Sequence, residues 1–338
     1  MALRSSSRNC SIDLFRYFCA LLVVNIHANP FLDISEFADT IAVEYVSRIA
    51  VPFFFLVAGH FYSQKLHSGE RPFKGYERKL LKVYLFWSTI YAVRLIVVNL
   101  QQHTFTKDTV IIILKGYLYK GVSEHLWFFP SLMVAVAVLT LAHRLKKEKL
   151  LLCIGILLFF LACFGMSYYY VACSNIPVLD KLFIDDKLRY VHRLCVFGIS
   201  FVALGNATYR HRETLTATPK ALVTTATVAF LVLFECEKVA VTAFELQEGL
   251  LYTFMLFPLM LAIFVMLLQH PLQQFAVGAK YARNAASFIY YIHPLFIFLF
   301  RHFFKTSIPV FFAVCITTTV LSALLTKLNN RHLNFLNS

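Results

Sequence analysis

Residues 11–27 read SIDLFRYFCALLVVNIH, a mostly apolar run that nevertheless carries Asp13, Arg16, Asn25 and His27. A membrane-spanning helix needs about 20 predominantly apolar residues, and the segment from 12 to 31 supplies them. Charges at the centre of a bilayer cost at least about 2.5 kcal/mol each, so those inside a span need a partner or a water-filled cavity. Arg16 and His27 are three helical turns apart, which sets both on one face roughly 16 Å from each other. One then lies in the half of the membrane nearer the N-terminus and the other in the opposite half.

The rest of the chain matches this opening. Of 338 residues 59% are hydrophobic and 15% charged, against about 25% charged in a soluble domain. Mean hydropathy is +0.67. These values exclude a soluble globular protein, a disordered chain, collagen and a coiled coil. The 35 Phe and 17 Tyr suit lipid contact and bilayer interfaces. Apolar segments recur near 12–31, 41–62, 83–100, 125–143, 150–171, 190–209, 221–235, 249–268, 286–304 and 308–326. The expected fold is therefore all-α, a polytopic membrane helix bundle of about ten transmembrane helices. Asp108 to Tyr119 is apolar but short and reads as interfacial or re-entrant.

Loop charges set the orientation. The N-terminal tail and every second loop hold 19 basic and four acidic residues, whereas the opposite loops hold nine basic and 13 acidic ones, Glu44, Glu235 and Glu237 among them. By the positive-inside rule both termini lie in the cytoplasm of a cell membrane. The net charge of +14 is then mostly topology, and no nucleic-acid partner is expected. The first span reads as retained rather than cleaved, and one integral domain over 1–338, with no soluble domain, is expected. The eight cysteines have neither CxxC nor metal-ligand spacing, so they read as small apolar filler and no metal is expected.

Four arginines remain inside or at the edge of spans: Arg16, Arg48, Arg94 and Arg193. Asp13 is the one acid in the same set, placed at i to i+3 to pair with Arg16. For Arg94 and Arg193, snorkelling to headgroups and a pocket role stand as alternatives. Arg16 and Arg48 point to a pocket for phosphates or a carboxylate. His27 is either a packed, hydrogen-bonded residue or a proton-handling one. Arg48 precedes Pro52, which should kink its helix, and Gly59, which permits close helix approach. His125 opens the fourth span, and Tyr290 and His293 share a face in the ninth. Pro294 frees a backbone carbonyl one turn earlier. The stretch from Lys65 to Lys82 reads as the most basic loop, suited to anionic lipid or to a phosphorylated cofactor.

In this order the pieces resemble acyltransferase family 3, the integral membrane acyl- and O-acetyltransferases. The carrying matches are Arg16 and His27 in the first span, Arg48 to Phe55 with Val-Pro-Phe-Phe, His125 to Phe128 as His-Leu-Trp-Phe, and Tyr290, His293 and Pro294. Ala58-Gly59 stands where the family usually has Ser-Gly, and Lys82-Val-Tyr where it usually has Pro-Tyr. The chain also looks somewhat like the membrane part of the serine racemases of vancomycin resistance. The resemblance implies transfer of an acyl group, acetyl by family majority, from cytosolic acyl-CoA as donor. The acceptor would be a hydroxyl or amine of a glycan, a lipid-linked sugar or a small molecule. It places CoA phosphates near Arg16, Arg78, Lys79 and Lys82, with His27 as general base or, as the alternative, a transient acyl carrier. Arg48 and His125 would stabilise the oxyanion, and Tyr290 and His293 would orient the acceptor or return the proton. The competing class is a membrane transporter of an anionic or amino-acid solute without chemistry. Matched repeats with broken helices would favour it, and the sequence shows none.

Overall fold

The structure, a computed structural model, describes residues 9–177, 192–247 and 249–328, and these are helical with no β-strand among them. In chain order the helices are α1 (Cys10–Ala28), α2 (Glu36–Thr40), α3 (Ala50–His67), α4 (Phe73–Gln101), α5 (Lys107–Lys115), α6 (Phe128–Arg144) and α7 (Glu148–Gly165). There follow α8 (Tyr169–Ala172), α9 (Gly198–Arg210), α10 (Arg212–Ala217), α11 (Lys220–Ala243), α12 (Leu256–Gln269), α13 (Ala276–Phe300) and α14 (Ser307–Leu328). A π-helical turn at Ile41–Val46 and a 3-10 turn at Ser47–Ile49 join α2 to α3.

Helix is present in all ten apolar segments. Six stretches are by themselves long and apolar enough to cross a membrane: Cys10–Ala28, Glu36–His67, Phe73–Gln101, Lys107–Arg144, Glu148–Gly165 and Ser307–Leu328. A seventh is added if Leu256–Gln269 and Gln273–Phe300, bent by 84° at their junction, count as one span. The chain is thus an all-α, multi-pass membrane protein. On α14 the two faces separate cleanly: Phe312, Ile316, Val320 and Leu324 are exposed, and Val310, Val314, Thr318 and Ser322 are buried. An apolar stripe at this spacing faces lipid without cost.

Two expectations are corrected. The basic stretch from Lys65 to Lys82 is mainly helix, because α3 continues to His67 and α4 begins at Phe73. Arg78, Lys79 and Lys82 are therefore exposed helical side chains rather than loop residues. With Lys74, Arg78 and Lys82 at intervals of four, they form a basic stripe. The segment expected to end at 235 continues as α11 to Ala243, straight through Glu235, Glu237 and Lys238. Its charges find partners within the fold, so the apolar run need not stop at them.

The chain forms two compact units, one from residues 1–57 with 211–338 and one from residues 58–210. In the first, α1 starts at Asn9, whose side chain accepts the Ile12 N–H, and ends at Asn29 in the left-handed region. Small side chains let α1 approach α13 and α14. Ala20, Val24 and Ala28 form one buried cluster with Ala285, Ala286, Ile289, Ile297, Val310 and Val314. Asn25 of α1 donates from Nδ2 to the Ala42 carbonyl at 2.8 Å and to Ser47 Oγ at 2.9 Å. It thereby satisfies polar groups that the irregular turn leaves outside a regular helix ladder.

In the second unit α9 is the spine. Ser200 donates to the Gly155 carbonyl of α7 at 2.7 Å. Ser63 of α3 donates to Asn206 Oδ1 at 2.9 Å, and His60 Nδ1 lies 3.0 Å from Thr208 Oγ1. Gly59 meets the Val202 backbone so closely that a Cβ there would overlap it, as expected for a close-approach glycine. Replacing it with Val forces the two backbones apart, and overpacking of this kind costs about 1–3 kcal/mol. Thermal unfolding of Gly59→Val in detergent is expected several degrees below the parent, whereas Gly75→Ala, with open space around its Cβ position, should leave it unchanged.

Candidate functional site

The first unit holds four of the expected site residues from α1 and α13, plus Arg48. His27 sits in the last turn of α1 and His293 in α13, with ring centroids 5.0 Å apart. His293 is fully buried. Its Nδ1 is 3.0 Å from both the Ile289 and the Tyr290 carbonyl oxygens. Pro294 has no N–H to give to Tyr290, so that carbonyl is open and the imidazole fills it. Donation from Nδ1 puts the lone pair of the neutral ring on Nε2. Tyr290 is buried, with its ring 6.4 Å from His293 and 5.9 Å from Phe54. Arg16 lies on the same helix as His27, with Nη1 3.9 Å from the carboxylate of buried Asp13.

Arg48 has a protein counter-ion after all. Its Nη2 is bonded to Glu44 Oε1, and its Nε donates to Oε2 at 2.8 Å. This two-point contact is the fork geometry that favours arginine over lysine. Glu44 was expected among outer-loop charges, but the π-helical turn draws it one turn before Arg48 along the same helical run.

Beside this pair lies a group that sequence reasoning missed. Lys238 of α11 is wholly buried. Its Nζ donates to the Glu44 carbonyl at 2.8 Å and the Tyr45 carbonyl at 2.6 Å, and stands 3.9 Å from Glu235 Oε2. It also lies 3.6 Å from the Phe234 ring centroid, within cation–π range. Glu237, three residues after Phe234, accepts the Phe254 and Met255 N–H groups at 2.6 and 2.7 Å. It therefore sits at the N-terminal end of α12, where a carboxylate is favoured. The signal that existed was Glu235 and Lys238 at i and i+3, masked because both read as loop residues.

The second unit holds His125 and the α4 cations. His125 is buried in a 3-10 turn at Glu124–Trp127. Its Nδ1 is 3.1 Å from Ser123 Oγ, and its ring is 5.0 Å from that of Tyr91. The same unit gathers His67, His143 and Glu148, far apart in sequence, so that their ligand atoms lie within 4.8 Å of one another. Of the four in-span arginines, Arg193 has its side chain outside the described residues.

The structure thus brings together His27, Tyr290 and His293, and gives Arg16 and Arg48 carboxylate partners. Truncating Lys238 to Ala leaves two backbone carbonyls in the π-helical turn without their donor and Glu235 without its cation. Losing one partner of such a buried set costs about 3–5 kcal/mol. Lys238→Ala is expected to lower thermal stability sharply, and Lys238→Met, which keeps the stem volume, to lower it less.

Comparison with known proteins follows the same lines. The family model described as an acyltransferase domain, acyltransferase family 3, matches residues 9–327. An amino-acid racemase of Enterococcus faecalis is 28% identical over 336 residues, 95% of this chain and 46% of that protein. A serine/alanine racemase of Enterococcus gallinarum is 31% identical over 160 residues, 45% of this chain and 22% of that protein. The chain spans less than half the length of these relatives. No solved structure matches it.

Proposed function

The chain belongs to acyltransferase family 3, and from that premise we propose that it carries an acyl group, acetyl, from acyl-CoA to a hydroxyl or amine. The acceptor is a glycan, a lipid-linked sugar or a small molecule. The proposed topology is ten spans of a cell membrane with both termini cytoplasmic, which puts the donor on the cytoplasmic side. The contact of His27 with His293 at 5.0 Å carries the reading. Two imidazoles this close, one with its tautomer held by backbone carbonyls, suit proton transfer near neutral pH.

In this mechanism His27 takes the proton from the acceptor O–H or N–H as that atom attacks the thioester carbonyl. The tetrahedral oxyanion collapses, the C–S bond breaks, and the thiolate of CoA leaves with the proton returned from His27. His293 positions His27 and the acceptor through its fixed Nε2, and Tyr290 closes the apolar wall. Arg48 supplies N–H groups to the oxyanion, a role worth roughly 3 kcal/mol per donor. Its Glu44 contact occupies only part of the five-donor guanidinium. The exposed stripe of Lys74, Arg78 and Lys82, with Lys79 beside it, is a surface for the CoA phosphates.

Membranes containing the protein, given acetyl-CoA labelled in the acetyl group, are expected to pass label to a lipid, glycan or small-molecule fraction. Loss of a general base costs about 10²–10⁴ in rate, so His27→Ala should lose at least a hundredfold. His293→Ala should fall with it. Pro294→Ala restores an N–H that competes with His293 for the Tyr290 carbonyl and should give an intermediate rate. Label transfer by folded His27→Ala at the parent rate overturns the mechanism.

A further inference from the structure

Three helix ends meet at His67, His143 and Glu148. His67 closes α3, His143 lies in the last turn of α6, and Glu148 opens α7. Nε2 of His67 is 3.4 Å and Nδ1 of His143 is 3.1 Å from the same oxygen, Glu148 Oε1. Zn²⁺ holds nitrogen and oxygen ligands at about 2.0–2.2 Å, and a tetrahedral arrangement then separates ligand atoms by roughly 3.4 Å. The two nitrogen–oxygen distances are close to that spacing, and the two nitrogens lie within 4.8 Å of each other.

Its surroundings are those of a ligand set. Nδ1 of His67 donates to the Ser63 carbonyl at 2.9 Å, which leaves the lone pair on Nε2, the atom that faces Glu148. An imidazole N–H held by a backbone carbonyl is the usual orienting contact of a metal-bound histidine. The second oxygen of Glu148 faces Arg210 Nε at 3.7 Å, so Oε1 alone is turned to the two rings. Glu148 is 10% exposed, and the histidines 27% and 31%. A cation can therefore reach the site from water and still be held by a mostly buried carboxylate. Two nitrogens converge on Oε1 from different helices.

We propose that His67, His143 and Glu148 bind a divalent cation of the Zn²⁺ type and clip the ends of α3, α6 and α7 together. Two imidazoles and one carboxylate select Zn²⁺ and its first-row neighbours over Mg²⁺ and Ca²⁺, which take oxygen ligands. The fourth position is open to water. The nearby Arg210 guanidinium opposes the ion's charge, so the metal is removable by a chelator.

The test uses the full-length chain in detergent, purified through a tag without histidine, stripped with chelator and titrated with Zn²⁺ or Co²⁺. One ion per chain is expected, with tetrahedral visible bands from Co²⁺ and a higher unfolding temperature with Zn²⁺. His67→Ala and His143→Ala should each weaken binding at least about 100-fold, beyond the loss typical of an orienting contact. His143→Gln keeps a donor for Glu148 but not the imidazole, and should bind no Zn²⁺ while its metal-free unfolding temperature matches the parent. His27→Ala and His103→Ala should bind as the parent does. A parent chain that retains no more Zn²⁺ than the folded double variant of His67 and His143 overturns the proposal.

Discussion

The close approach of α1 to α13 is the contact on which the candidate chemistry depends. In a bilayer, helices gain little from leaving one apolar environment for another, so they associate where small side chains let many atoms touch. Ala20, Val24 and Ala28 on one side meet Ala285, Ala286 and Ile289 on the other. His27 stands next to Ala28, and His293 one turn beyond Ile289, so the seam that joins the helices also sets two imidazoles 5.0 Å apart, tilted by 39°. A larger residue in the seam would separate the rings without altering either histidine.

A second constraint acts on charge. Lys238 is wholly buried and Arg48, Glu44, Glu235 and Glu237 are partly buried, and each is matched by a charged side chain, a carbonyl or a pair of N–H groups. The irregular turn at Ile41–Val46 is part of the solution. A π-helical turn leaves carbonyls outside the ordinary ladder, and Lys238 and Asn25 take three of them. The irregular turn before Arg48 is thus held by side chains from two other helices.

Much of this was legible in the sequence because it is local. Hydrophobic runs mark helices wherever the backbone must satisfy itself in lipid. Gly59 announces a close approach and Pro294 an open carbonyl, since each follows from one residue's covalent structure. Arg16 and His27 share a face by helical geometry alone. What the sequence hid is non-local. Glu235 and Lys238 resemble loop charges until α11 is seen to continue and the turn at residues 41–46 is seen beside it. The basic stripe of α4 resembles a loop because Lys and Arg mark cytoplasmic ends whether or not they are helical. His67, His143 and Glu148 carry no shared spacing, as three separate helix ends bring them together.

The roles proposed for the two seam histidines rest on their unequal burial. His293 is fully buried and tied by Nδ1 to two carbonyls of its own helix, so its ring cannot turn without breaking those bonds. His27 is partly exposed, in the last turn of its helix, two residues beyond the Asn25 contacts that anchor that helix. A group that must take a proton from an acceptor and deliver it to a leaving thiolate has to reach two atoms in sequence, and the partly exposed ring suits that task. The fixed ring suits the other, which is to keep its partner's orientation constant between the two transfers. In the proposed mechanism reaction falls to α1 and positioning to α13, where the proline that opens the Tyr290 carbonyl also fixes the His293 ring.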